Sequence, residues 1–142
     1  MEIRVGFIGC GDIAEVHAER LARIEGVRLA AVSDIDPRRA EEFARRYGGA
    51  AYGDYHEMLE REELDACYIC IPPYAHTDQE LLCAEHGVHF FVEKPVALTL
   101  EKALEVLKAV RRAGLVTQVG YVLRFVDSLR RAREVLWREG GR

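Results

Sequence analysis

Gly9, Gly11 and Ala14 are spaced as Gly-x-Gly-x-x-Ala directly after the apolar run 3–8. A buried strand there meets a tight turn and then a helix start. Glycines let the backbone turn sharply and approach a ligand, and the unpaired N–H groups of a helix start attract an anion. The expected ligand is the pyrophosphate of a dinucleotide, held by backbone groups of Gly9, Gly11, Asp12 and Ile13. So short a glycine spacing also recurs by chance, and its weight rests on Asp34. That residue closes a second apolar run, 27–33, roughly where the acidic partner of such a turn is required. A carboxylate there accepts hydrogen bonds from both ribose hydroxyls and repels a 2′-phosphate, which favours NAD over NADP. Arg38 and Arg39 follow closely and could pair with a 2′-phosphate, so NADP stays an alternative.

Two further segments carry chemistry. In Ile71-Pro72-Pro73-Tyr74-Ala75-His76 the prolines end a strand and shape a rigid loop against the cofactor. His76 is read as opening the next helix close to the cofactor, with a packing role as the alternative. His17, on the first helix, is read as structural. In Val92-Glu93-Lys94-Pro95 a lysine stands at a strand end beside the expected nicotinamide. Hydride transfer from a carbinol is coupled to loss of its hydroxyl proton. An amine can hydrogen-bond that oxygen, or take the proton if a nearby cationic nicotinamide lowers its pKa. Glu93 would orient Lys94 or hold the nicotinamide ribose. A surface ion pair is the competing reading of both residues.

The elements that must position these residues alternate strand and helix. Strands are expected near 3–8, 27–33, 50–52, 66–71, 88–92 and 115–120. Helices are expected near 12–25, 37–47, 54–60, 74–86, 99–113 and 127–139. The first helix is expected to turn Ile13, Val16, Leu21 and Ile24 toward the sheet. Asp36 before Pro37, Asp54 and Thr99 read as N-caps, and Gly26, Gly48, Gly87 and Gly114 as stops. The pattern predicts an α/β fold with a doubly wound parallel sheet ordered 3-2-1-4-5-6. Its ligand sits at the carboxyl ends of the strands, where every unusual segment of this chain falls.

Composition narrows the class. The 142 residues are 49% hydrophobic and 31% charged, with a formal net charge of −4, as in a globular domain. Basic residues are mixed with acidic ones, so no nucleic-acid partner is expected. The locally basic stretch from Arg124 to Arg142 reads as a solvated helix face. No apolar run reaches the roughly 18 residues of a membrane span. No signal region precedes the first strand, and a cytoplasmic location is expected. The C-x-x-C of Cys67 and Cys70 lies inside a strand, where residues three apart face opposite ways. All four cysteines are therefore read as buried, reduced thiols, and no metal site is expected.

The chain resembles the N-terminal domain of the Gfo/Idh/MocA family, named for glucose–fructose oxidoreductase and inositol dehydrogenase. The resemblance rests on Gly6-Phe7-Ile8-Gly9-Cys10-Gly11, Ala31-Val32-Ser33-Asp34, the run from Asp65 to Pro73 with His76, Glu93-Lys94-Pro95, and Gln118-Val119-Gly120-Tyr121 with Arg124-Phe125. It implies an NAD(P)-dependent oxidoreductase acting on sugars, polyols and related small molecules. Lys94 matches the family lysine that contacts the substrate hydroxyl. Ile71, Pro72, Pro73 and His76 match the cofactor-lining loop, and Glu93 matches a residue near the nicotinamide ribose. Family enzymes are longer and complete the active site with a second domain. Residues 1–120 are therefore expected to form the dinucleotide-binding domain, and 121–142 a helix linking toward that second domain. Glu139-Gly140-Gly141-Arg142 is similar to the segment by which the family enters it. The chain alone is expected to bind cofactor and turn over poorly, and its uncovered apolar face makes a homo-oligomer possible. The resemblance also allows a non-catalytic NAD-sensing or regulatory module, a redox-neutral glycosidase, or another reductase.

Overall fold

The computed structural model describes residues 2–138 and 140. Its strands are β1 (Ile3–Ile8), β2 (Val27–Ser33), β3 (Ala50–Tyr52), β4 (Ala66–Ile69), β5 (His89–Val92) and β6 (Thr117–Val119). They form one parallel sheet in the order β3-β2-β1-β4-β5-β6, as the alternation predicts. The helices are α1 (Asp12–Leu21), α2 (Pro37–Tyr47), α3 (Tyr55–Arg61), α4 (Gln79–Glu85), α5 (Leu100–Ala113) and α6 (Asp127–Arg138). Short 3₁₀ turns lie at Pro73–Ala75 and Val122–Phe125. Among the described residues no helix is long and apolar enough to cross a membrane.

Local chemistry sets these boundaries. Asp36, Asp54 and Thr99 accept hydrogen bonds from the backbone of Arg38, His56 and Lys102, capping α2, α3 and α5. Gly114 ends α5 in the left-handed conformation at φ 66°, which costs glycine nothing.

The core has two layers, one on each face of the sheet. Val5, Phe7, Cys10, Leu29 and Phe43 pack with Ala14, Ala18 and Leu21 of α1 on one face. Ile8, Cys67, Ile69, Phe90 and Val92 pack with Met58, Cys83 and Val106 on the other. Cys67 and Cys70 thus belong to opposite layers, and all four cysteines are free and buried. Desolvation pushes the Cys10 and Cys70 thiols up to about 12, which leaves them as small hydrophobes rather than nucleophiles.

Two helices differ from expectation. α1 ends at Leu21, not near 25, because Arg23 and Ile24 close 3₁₀-type bonds onto Arg20 and Leu21. Its buried face is Ala14, Ala18 and Leu21, whereas Ile13, Val16 and Ile24 are 43%, 39% and 52% exposed. Small alanines let α1 lie close to the sheet, and that closeness outweighs the size of the isoleucines. α4 begins at Gln79, not at Tyr74. The stretch after the prolines instead forms a 3₁₀ turn, closed by the Ala75 N–H onto the Pro72 carbonyl. His76 is therefore the residue after a 3₁₀ turn and does not open a helix.

The α6 helix buries none of its described side chains, and Leu129, Leu136 and Trp137 are exposed. Glu139, Gly141 and Arg142, which the link toward a second domain was expected to include, lie outside the described residues.

Candidate functional site

The segments singled out by chemistry converge at the carboxyl edge of the sheet. Gly9 follows β1 at φ 91°, and its N–H donates to the Ser33 carbonyl at 2.8 Å. A Cβ there would collide with the Cys70 carbonyl oxygen and lie 2.9 Å from Ile71 Cγ2. Gly11, the N-cap of α1, has an ordinary φ of −83° and nothing within 4 Å of where a Cβ would project. One glycine is thus required by the fold, while the other keeps open space in front of a helix start. No side chain caps α1, so the amides of its first turn remain available to an anion.

Asp34 is tied to the same turn. Its Oδ2 accepts the Cys10 N–H at 2.9 Å, and its Oδ1 accepts the Asp36 N–H at 2.9 Å. Two backbone amides orient the carboxylate, and each oxygen retains a lone pair for an outside donor. Arg38 folds back onto Asp36 through contacts of 3.2 Å, which hold the Asp36 carboxyl below its usual range. Arg39 instead lines a shallow depression with Cys10, Gly11 and Asp12. Ile35, which the sequence reading passed over, is 98% exposed beside Asp34.

The Pro72–Pro73 loop follows β4 on the neighbouring strand end. His76 leaves it pointing inward. Its Nδ1 lies 2.6 Å from Glu80 Oε1, with the two side chains 5% and 1% exposed. The imidazole is thus an internal anchor of the loop. Glu80 escaped the sequence reading, although its position one helical turn after His76 was a usable signal.

A clasp outside the site holds the far end of this loop. His56 lies between Asp54 (2.9 Å) and Asp78 (3.2 Å), and Tyr55 hydrogen-bonds Asp78 and Thr77. The Asp54 hydrogen bond raises the His56 pKa, aided by Asp78 and opposed by desolvation. The Asp54 and Asp78 carboxyls are lowered, chiefly by hydrogen bonds from His56 and Tyr55 respectively. A raised histidine stabilises fully below its unfolded value and loses that contribution as pH rises through the folded one. The clasp should therefore weaken as pH rises above about 6.5, the ordinary histidine value. His56 is 45% exposed, so the expected fall in Tm is only about 1–3 °C. His56→Gln should remove that part of the pH dependence in thermal melts, and an unchanged slope would count against the clasp.

Glu93 and Lys94 occupy the end of β5. Lys94 is exposed and makes no ion pair among the described residues, and its N–H donates to Glu93 Oε2 at 3.2 Å. Glu93 Oε1 lies 2.8 Å from His17 Nε2, with both side chains largely buried. His17, expected to be structural, is thus paired with a residue of the strand end, a contact without a trace in the sequence. A surface groove of about 740 Å³ between α4 and α5 is lined by Leu81, Leu104 and Lys108 and lies apart from these residues.

Comparison with known proteins supplies the family. Residues 3–121 match the Gfo/Idh/MocA model, described as an oxidoreductase family with an NAD-binding Rossmann fold. The chain is 31% identical to myo-inositol 2-dehydrogenase of Thermotoga maritima over 135 residues, 94% of this chain and 40% of that protein. It is similar to scyllo-inositol dehydrogenase from Lactobacillus casei, solved with NAD(H) and scyllo-inositol, at TM-score 0.87 and 27% identity over 99% of this chain and 42% of that one. A 3-ketoreductase from Actinomadura kijaniata, solved with NADP and TDP-benzene, aligns at TM-score 0.87 and 28% identity over 99% of this chain and 43% of that one. The chain spans about 40% of the length of the first curated relatives it matches. It belongs to the Gfo/Idh/MocA oxidoreductase family and carries that family's NAD-binding Rossmann domain.

Proposed function

We propose that this chain is the cofactor-holding part of a dehydrogenase that moves hydride between a nicotinamide and a sugar, polyol or related small molecule. The observation that carries this reading is the Asp34 carboxylate hydrogen-bonded to the Cys10 amide of the glycine turn. That bond sets a ribose-hydroxyl acceptor beside a phosphate cradle in one rigid unit. In this reading the amides after Gly11 hold the pyrophosphate, Asp34 takes the adenosine ribose and Ile35 offers an apolar face to the adenine. The loop of Ile71, Pro72 and Pro73 lines the middle of the groove, with His76 bracing it from within. Bound there, the nicotinamide supplies hydride acceptance and donation.

Lys94 is the catalytic residue of this half. Its exposed amine, without an ion-pair partner among the described residues, is free to hydrogen-bond a substrate hydroxyl and to move its proton. Residues 121–142 lead toward the part of the enzyme that supplies the substrate pocket. Efficient turnover needs the oriented, water-excluded cleft which that part completes. The 142-residue chain should therefore bind cofactor and show little turnover.

NAD is the preferred cofactor, because the Asp34 carboxylate repels a 2′-phosphate. Titration with NADH and NADPH tests this directly. The wild type should bind NADH more tightly. Asp34→Ala should weaken NADH by roughly 10- to 100-fold, the range for losing hydrogen bonds to a charged group, and should narrow the gap to NADPH. Binding of neither cofactor, or an Asp34→Ala variant indistinguishable from wild type, would overturn the assignment.

A further inference from the structure

We propose that His17 is a positioning residue for the nicotinamide end of the cofactor, acting through Glu93. The inference rests on the reading above that places that end at Glu93 and Lys94. The two residues are 76 positions apart, yet His17 Nε2 lies 2.8 Å from Glu93 Oε1. Their side chains are only 16% and 14% exposed, so the bond is shielded from competing water.

The imidazole is itself held in place. Phe7, Tyr68 and Phe91 are register partners across β1, β4 and β5. Their rings stack at 5.1 Å and 4.9 Å between centroids. His17 sits on this aromatic ladder, 5.3 Å from Tyr68 and 4.9 Å from Phe91, the latter edge-on. A flat ring there can direct one nitrogen at the end of β5 and little else.

Glu93 is fixed from three sides. Oε1 meets His17, Oε2 accepts the Lys94 amide, and the carboxylate fills the space beside Gly120, where a Cβ would lie 2.8 Å from Oε2. Lone pairs on both oxygens remain open to hydroxyl donors. His17 stands on α1, whose first turn forms the phosphate cradle, and Glu93 adjoins Lys94. The bond thus couples the cradle to the strand end that carries the reacting amine. It sets where the nicotinamide riboside lies relative to Lys94 and leaves the adenosine end untouched.

The test separates positioning from a plain structural role by using two ligands. NADH and ADP share the adenosine and the two phosphates, and NADH alone adds the nicotinamide riboside. Both are titrated calorimetrically into the 142-residue chain and its variants. His17→Phe keeps the aromatic packing and removes the hydrogen bond. It should weaken NADH by about tenfold, as expected for a lost bond to a charged group, and leave ADP within about twofold. His17→Gln, which retains a donor near the Nε2 position, should recover most of the loss. Glu93→Gln should show the same selective loss, and His17→Phe should add little on top of it.

Equal weakening of both ligands, or none, would overturn the proposal, as would full additivity of the two substitutions. If His17→Phe does not fold, the ligand selectivity of Glu93→Gln decides. Wild-type protein that binds neither ligand refutes the underlying cofactor reading, which is distinct from a wild type that binds both while the variants show no selectivity.

Discussion

Gly9→Ala is expected to destabilise the chain by about 3–4 kcal/mol and to abolish measurable NADH binding. About 1–2 kcal/mol comes from forcing a residue with a Cβ into the left-handed region, since Gly9 lies at φ 91°. The rest comes from overpacking, which typically costs about 1–3 kcal/mol. The new Cβ would strike the Cys70 carbonyl oxygen and crowd Ile71 Cγ2 at 2.9 Å. Neither can withdraw easily. The Cys70 N–H donates to the Ile8 carbonyl at 2.8 Å, and the Gly9 N–H donates to Ser33 at 2.8 Å, so moving one strand end breaks its neighbour's bonds. Gly11→Ala is the matched control. With an ordinary φ and nothing within 4 Å, it should fold within about 0.5 kcal/mol of wild type. It should still lose NADH affinity, because its methyl enters the space in front of the amides. Urea denaturation and NADH titration on both variants give the comparison. A Gly9→Ala variant within 1 kcal/mol of wild type would show that the turn relaxes, contrary to this account.

Those two glycines also mark how far the amino-acid sequence could be read. Strand–helix alternation and local caps are short-range signals, and they placed all six strands and their order. Asp36 before Pro37, Asp54 and Thr99 act as caps where expected, because a cap depends only on residues two or three positions away. Of the buried face of α1 only Leu21 was legible. Periodicity weights large apolar residues, whereas the sheet selected Ala14 and Ala18 for close approach. The start of α4 was missed because Asp78, at the N-cap position, makes no capping bond. Its carboxylate is taken by Tyr55 and His56 from α3, an element remote in sequence. The same limit applies to the candidate site. The glycine turn, Asp34 and Lys94 were each visible from residue type and spacing. The link between His17 and Glu93 crosses 76 positions and leaves no periodic trace, so only tertiary structure discloses it.

Glu80→Ala should be the other large loss, at about 3–5 kcal/mol, the range for removing one partner of a buried pair. Glu80 is 1% exposed and its carboxylate meets His76 Nδ1 at 2.6 Å. The two side chains satisfy one another in a space closed to water. Truncation to alanine leaves the imidazole nitrogen buried without a partner and opens a void beneath the loop, and both terms act in the same direction. Glu80→Gln is the informative companion. Its amide oxygen can still accept from Nδ1 at nearly the same volume, so it should cost about 1–2 kcal/mol. The loss should also reach function. His76 follows the Pro73–Ala75 turn, and without its anchor the loop above the groove depends on the Gln79 side-chain bonds to Thr77 and Ala75 and on the exposed clasp of His56 and Asp78. NADH affinity should therefore fall in Glu80→Ala and hold in Glu80→Gln, even where both variants remain folded. Denaturant titrations paired with calorimetric binding measure the two effects. Equal stabilities for the alanine and glutamine variants would mean that volume alone, and not the hydrogen bond to His76, holds this loop in place.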